Sequence, residues 1–314
     1  MTIVNILALS GLFNGIGALM LGLITLRYGK TTLHRLFALL NLAIIIWALS
    51  YWRWLLADNY ETALFWTRML SIGSTLIPIF FLHWILSLLN IAKKHKILLL
   101  SGYLMTALFL VFSFSPYFVK TVEPTFAFPY WPKPGILYHF YVLFCYIALL
   151  GYGIYRLFVA YQKAVSQKRA QLKYIFLGLA IAAPAGFSNF LLWYNINIPP
   201  YLNFVVLAYV GCYTYAIICY QLMDIRIIVR KSTIYLIIAG FVYACFYGVT
   251  WLLSRWFGNI YNQDAMIFGI FLAFAFVFAF IWFEKLVRYL ANRYFFNFNM
   301  VTLPTLDTQP QLIL

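Results

Sequence analysis

The chain has 314 residues, of which 65% are hydrophobic and only 9% charged, with a formal net charge of +15. A water-soluble domain carries about a quarter charged residues, so this composition excludes a soluble globular protein and a disordered one and requires lipid to cover most of the surface. The same net charge in a soluble chain would point to nucleic acid. In an apolar chain it reflects Lys and Arg gathered in cytoplasmic loops, and no nucleic-acid partner is implied.

A spanning helix needs about 20 apolar residues, and the sequence supplies nine such runs: 3–26, 36–56, 63–89, 97–114, 135–161, 172–193, 201–220, 233–256 and 266–287. Backbone groups in hydrocarbon must be satisfied within the segment, and no run alternates with period two, so each is expected to be a helix. The first run is followed by Arg27-Tyr28-Gly29-Lys30 rather than a small-residue cleavage site. It reads as a retained span, not a signal peptide.

Charge alternates along the connections. Arg27, Lys30 and Arg35 sit in the first, Lys93, Lys94 and Lys96 in the third, and Arg156, Lys163, Lys168, Arg169 and Lys173 in the fifth. Arg226, Arg230 and Lys231 outweigh Asp224 in the seventh, and Lys285, Arg288 and Arg293 outweigh Glu284 and Asp307 in the tail. These segments together carry +14 of the net +15. By the positive-inside rule they are cytoplasmic, which places the N-terminus outside and the C-terminus inside. The expected fold is an all-α polytopic transmembrane bundle. It divides into a seven-helix region (1–222), a cytoplasmic hinge (223–232), a two-helix extension (233–290) and a short tail (291–314).

Several residues are candidates for function. Arg53 and Arg68 flank the second connection, each a few residues inside its span, with Trp47, Trp52, Trp54 and Trp66 nearby in sequence. Arg53, Arg68, Trp47 and Trp66, with Asn189 near the end of the sixth run, define a candidate outer ligand pocket. The alternatives are that the arginines snorkel or pair with Asp58 and Glu61, and that the tryptophans form an interfacial belt. His83 is expected to hydrogen-bond a neighbouring helix. His34 and His95 fall in basic connections and read as solvated, and His139 opens the fifth run. Asn14, Asn41, Asn189 and Asn203 are expected to bond across helices. The connection 115–134 is rich in proline and aromatic residues, which argues against a helix and for an ordered cap. Cys145, Cys212, Cys219 and Cys245 lie in apolar runs without metal or disulfide spacing, so neither a metal site nor a cofactor is expected.

No Gly-rich phosphate loop, Ser-x-x-Lys, His-Glu-x-x-His or paired acidic cluster occurs in the sequence. With seven acidic residues, none of them mid-span, the chain also lacks the carboxylate that a proton- or cation-coupled transporter normally uses.

The segment Tyr215-Ala216-Ile217 followed by Tyr220-Gln221-Leu222-Met223-Asp224-Ile225-Arg226 resembles the close of the N-terminal seven-span region of bacterial sensor histidine kinases. The stretch 167–175 and the run from Trp66 through Pro78 and Phe80 look similar as well. The resemblance covers about residues 1–232 and suits members with nine spans. It implies a module of the bacterial inner membrane, with residues 1–222 as its sensor region, that senses an outer or membrane-borne signal and transmits it by helix rearrangement, with a homodimer as the expected assembly. Tyr220, Asp224, Arg226, Arg230 and Lys231 would form the signal-transfer hinge. The sequence contains no phospho-acceptor His box, Asn box or Gly-rich ATP lid, so the expectation is a sensor without its own catalytic domain, whose partners are the bilayer and a small ligand, lipid or peptide. A transporter or channel, or a lipid-modifying enzyme, is the rival class.

Overall fold

In the computed structural model the chain divides into two compact units, Met1–Ile225 and Arg226–Leu314. The structure describes residues 3–220 continuously and scattered helical positions beyond them, among them 282–287. In the second unit the rings of Phe241 and Phe283 stack at 3.8 Å. The expected eighth and ninth spans and the hinge positions Asp224, Arg226, Arg230 and Lys231 lie largely or wholly outside the described residues.

The first unit is a helical bundle. Its elements are α1 (Ile3–Tyr28), α2 (Thr32–Leu55), α3 (Tyr60–Leu88), α4 (Lys96–Phe112), a hairpin of β1 (Val119–Thr125) and β2 (Phe128–Pro134), α5 (Ile136–Tyr141), α6 (Gly151–Lys163), α7 (Ser166–Trp193) and α8 (Ala208–Tyr220). A π-helical segment, Val142–Leu150, joins α5 to α6 into one long rod, and a 3₁₀ segment, Tyr201–Leu207, leads into α8. Six helices are long and apolar enough to cross a membrane, and the stretch Tyr201–Ile217 is a shorter apolar helix. The first seven expected spans thus coincide with helices. Three of them, α2, α3 and α7, begin several residues before their apolar runs; at the start of α3 the Asn59 side-chain oxygen accepts from the Thr62 amide at 2.9 Å and fills one of the donors that a helix start leaves open.

Glycine lets the first three helices approach closely. A Cβ on Gly11 would lie 2.8 Å from the Ala48 carbonyl oxygen, and one on Gly73 would lie 2.6 Å from that of Ala43 and against the Trp47 backbone nitrogen. Both are backbone atoms that cannot turn aside, so α2 is held between α1 and α3 at distances only glycine allows.

The connections gather at two ends. At one end the hairpin closes the bundle, with Phe118, Val119, Val122, Phe128 and Trp131 all buried. Trp54 Nε1 donates to the Tyr130 carbonyl at 2.6 Å, and Lys133 Nζ donates to Asn195 Oδ1 at 2.6 Å. The proline- and aromatic-rich connection is therefore an ordered, non-helical cap, as expected, and the form it takes is a β-hairpin. Its prolines are tolerated because β1 and β2 form a two-stranded sheet, in which both strands are edges.

The opposite end carries the basic connections. Lys168 Nζ reaches the Leu88 carbonyl at 3.4 Å. His95 Nδ1 lies 3.0 Å from the Ile91 carbonyl, which can only accept, so Nδ1 carries the proton and Nε2 accepts. Its donors are Tyr152 Oη and Arg156 Nη1, each at 2.9 Å. The expectation that His95 and His34 are solvated is corrected. His95 ties the start of α4 to α6, and His34 is 5% exposed, packed under the start of α2 where it bonds the Thr31 hydroxyl.

Candidate functional site

Buried amides fasten the 3₁₀ segment into the bundle. Asn203 is fully buried. Its Nδ2 donates to Ser10 Oγ at 2.7 Å, its Oδ1 accepts from Asn189 Nδ2 at 3.1 Å, and its carbonyl accepts from Asn14 Nδ2 at 3.1 Å. One side chain thus joins α1, α7 and the entry to α8. Further along, Tyr209 Oη donates to Asn41 Oδ1 on α2 at 3.3 Å. The four asparagines bond across helices as expected. His83 likewise bonds Tyr103 Oη of α4 at 2.8 Å.

Beside this network α2, α3, α7, α8 and the π segment line a half-open cavity of about 160 Å³. From α2 it is walled by Leu40, Ile44, Trp47, Tyr51 and Trp54. Their spacing of four and three residues keeps them on one helix face, and at 1.5 Å per residue they extend about 21 Å along it. α3 adds Leu70, Ser74, Ile77 and Phe81, and α7 adds a face from Leu179 to Trp193. Tyr138 and Trp193 stack at 4.2 Å near the hairpin end. Phe37, Trp84 and Tyr213 pack together towards the other end, with the Trp84 and Tyr213 rings 5.7 Å apart.

Both irregular segments border this space. The π segment contributes Tyr146 and Leu150, and the 3₁₀ segment contributes Val206. Tyr146 Oη donates to the Ser74 carbonyl at 3.1 Å. Departures from α geometry of this kind recur at functional sites and hinges. Among the described residues no Lys, Arg, His, Asp or Glu lines the cavity. Two of its wall residues hold buried polar atoms with no hydrogen-bond partner, the Tyr51 hydroxyl and Asn189 Oδ1.

The sequence-derived pocket residues separate into three places. Trp47 and Asn189 both line the cavity. Arg53 is exposed, and its guanidinium lies 5.7 Å from the ring centres of Trp52 and of Trp66, a cation–π arrangement on the outside of the bundle. Arg68 is half-buried, two residues round the helix from the cavity-lining Leu70 and so on the other side of α3, and its Nε has no partner. Among the described residues neither arginine pairs with Asp58 or Glu61. Tyr220 ends α8. Sequence reasoning missed Tyr51, Tyr138, Tyr146, Trp193 and Tyr209. Their aromatic character was visible, but a stripe in an all-apolar helix does not reveal whether it faces lipid, a neighbour or a void.

The fold and the site together define a multi-pass helical membrane protein whose bundle holds an apolar cavity next to a polar joint. A family model described as the N-terminal 7TM region of histidine kinase matches residues 9–226, and the chain belongs to this family of sensor regions. No curated protein matches the chain.

Proposed function

We propose that the chain acts in the bacterial inner membrane as the signal-sensing module of a two-component histidine kinase, with its N-terminus and hairpin end outside and its basic end in the cytoplasm. The basic side chains of the first, third and fifth connections support that orientation. A stimulus acting on the bundle shifts the seventh span, and the displacement leaves through Tyr220, Asp224, Arg226, Arg230 and Lys231. The homodimer typical of such kinases is the assembly in which the shift is read.

One observation carries this reading: the span that leads into the hinge also walls the cavity, through Val206, Tyr209 and Tyr213. That span enters as seven residues of 3₁₀ helix. A 3₁₀ helix rises about 2.0 Å per residue and an α-helix about 1.5 Å, so rewinding this segment would shorten it by about 3–4 Å and turn it by about 20° per residue. A rearrangement of that size suffices to switch a packed two-state bundle. Trp47 and Asn189 contribute to sensing within the cavity, while Arg53, Arg68 and Trp66 position the outer end of α2 and α3.

The test is a chimera in which the chain is followed by the cytoplasmic region of a characterised histidine kinase. Asn203→Ala, which releases the 3₁₀ segment from α1 and α7, is expected to change basal autophosphorylation several-fold at equal membrane abundance. Unchanged autophosphorylation would remove the seventh span from the signal path.

A further inference from the structure

The cavity specifies the kind of molecule it can hold. Its wall is made of aliphatic and aromatic side chains with a few hydroxyls and one amide, and among the described residues it has no carboxylate, ammonium, guanidinium or imidazole. Moving an unpaired charge into such surroundings is strongly unfavourable, so the wall disfavours a carboxylate, phosphate or ammonium ligand. Its volume of about 160 Å³ is close to that of the ~150 Å³ apolar cavities that take up one benzene ring. The space is half open rather than sealed, and it seats a ring or one short chain.

The polar atoms set the remaining requirement. Buried hydrogen-bonding groups in proteins almost always have partners, yet the Tyr51 hydroxyl and Asn189 Oδ1 have none. Tyr51 is 1% exposed, and both atoms lie within the wall, closed to water, so a ligand group meets them once the Tyr51 ring or the Asn189 side chain turns inward. The tyrosine can donate and the amide oxygen can accept. A hydroxyl group on a ligand does both and can answer either.

We propose that this cavity is a binding site for a small neutral molecule, mainly hydrocarbon, of about six to eleven non-hydrogen atoms and bearing one hydroxyl- or amide-type group. The assignment rests on the sensor reading for its consequence but not for its geometry. Occupancy would give Asn189 Oδ1 a partner beside the bonds that its Nδ2 makes to Asn203 and to the Gly186 carbonyl and would so reach the 3₁₀ segment. Gly186 offers a way to close the site. It lines the cavity, and a Cβ placed on it meets nothing within 4 Å, so Gly186→Leu fills the space without striking backbone.

The experiment uses the full 314-residue chain in lipid nanodiscs and a photoreactive eight-carbon alcohol carrying a diazirine, with labelled positions mapped by peptide mass spectrometry. Labelling is expected to saturate, to fall on 47–54 and 186–193, and to be competed by 1-octanol but not by octanoate or octylammonium. Gly186→Leu, and Ala183→Leu as a second filling variant, should each reduce it at least tenfold while both proteins remain folded by thermal unfolding. Labelling that never saturates, that falls only on lipid-facing residues such as Leu23 and Val111, that octanoate competes equally, or that both filled variants retain would overturn the proposal. A chimera that responds to some stimulus while labelling fails would reject the site and leave the sensor reading intact. Saturable labelling without any change in kinase output would reject the sensor reading and leave the site.

Discussion

Asn203 offers a quantitative test of how the bundle holds its irregular seventh span. Asn203→Ala deletes two cross-helix hydrogen bonds, to Ser10 Oγ and from Asn189 Nδ2, while the bond from Asn14 to the Asn203 carbonyl does not involve the side chain and persists. Hydrogen bonds between membrane helices contribute about 0.6 kcal/mol on average and up to about 1.7, so the loss is expected to be about 1–3 kcal/mol. For a unit of this size each kcal/mol moves the midpoint by about 2–4 °C, which predicts a fall in Tm of about 2–12 °C. The measurement is thermal unfolding in nanodiscs of the wild type, Asn203→Ala, Asn189→Ala and the double variant. Asn189 keeps its bond to the Gly186 carbonyl in Asn203→Ala, so the cycle isolates the pair. A coupling of about 0.6 kcal/mol or more is expected. Additivity within about 0.3 kcal/mol, the behaviour of independent sites, would refute the polar joint.

Two further outcomes follow from the packing and the cap. Gly73→Ala drives a methyl group into the Ala43 carbonyl and the Trp47 backbone; overpacking of this kind costs about 1–3 kcal/mol, so the Tm should fall, whereas Gly186→Ala in open space should not lower it. Trp54→Phe keeps the aromatic packing against Trp131 but removes the donor to the Tyr130 carbonyl. A stability loss of about 1 kcal/mol, with faster hydrogen exchange confined to residues 119–134, is expected, and unchanged exchange there would show that the hairpin does not depend on that bond.

The long apolar runs and the alternating positive charge made the helical bundle legible, because a membrane admits few alternatives for the backbone. Other features depend on contacts between residues distant in sequence. The hairpin 119–134 was obscured by Pro124, Pro129 and Pro132, which read as strand breakers until both strands are seen to be edges. His95 looked solvated because it stands among lysines, but its partners Tyr152 and Arg156 lie about 60 residues away. The cavity had a sequence trace in Leu40, Ile44, Trp47, Tyr51 and Trp54. In a helix that is apolar all round, such spacing does not mark which face meets a void. Trp47 and Asn189 could be nominated from residue type alone, whereas Tyr51 gained significance only when its hydroxyl was found buried without a partner.

The central claim is that signalling requires the seventh span to move against α7. A Cβ on Gly178 would lie 3.0 Å from that of Cys212, slightly inside the usual span of about 3.5–4.5 Å for a disulfide, so Gly178→Cys can link α7 to α8 after a small adjustment. The decisive measurement is autophosphorylation of the kinase chimera carrying Gly178→Cys, oxidised and then reduced, with and without the Asn203→Ala change. Oxidation is expected to fix output at one level that Asn203→Ala no longer alters, and reduction to restore the difference. Output that still responds to Asn203→Ala while the disulfide is intact would contradict the central claim.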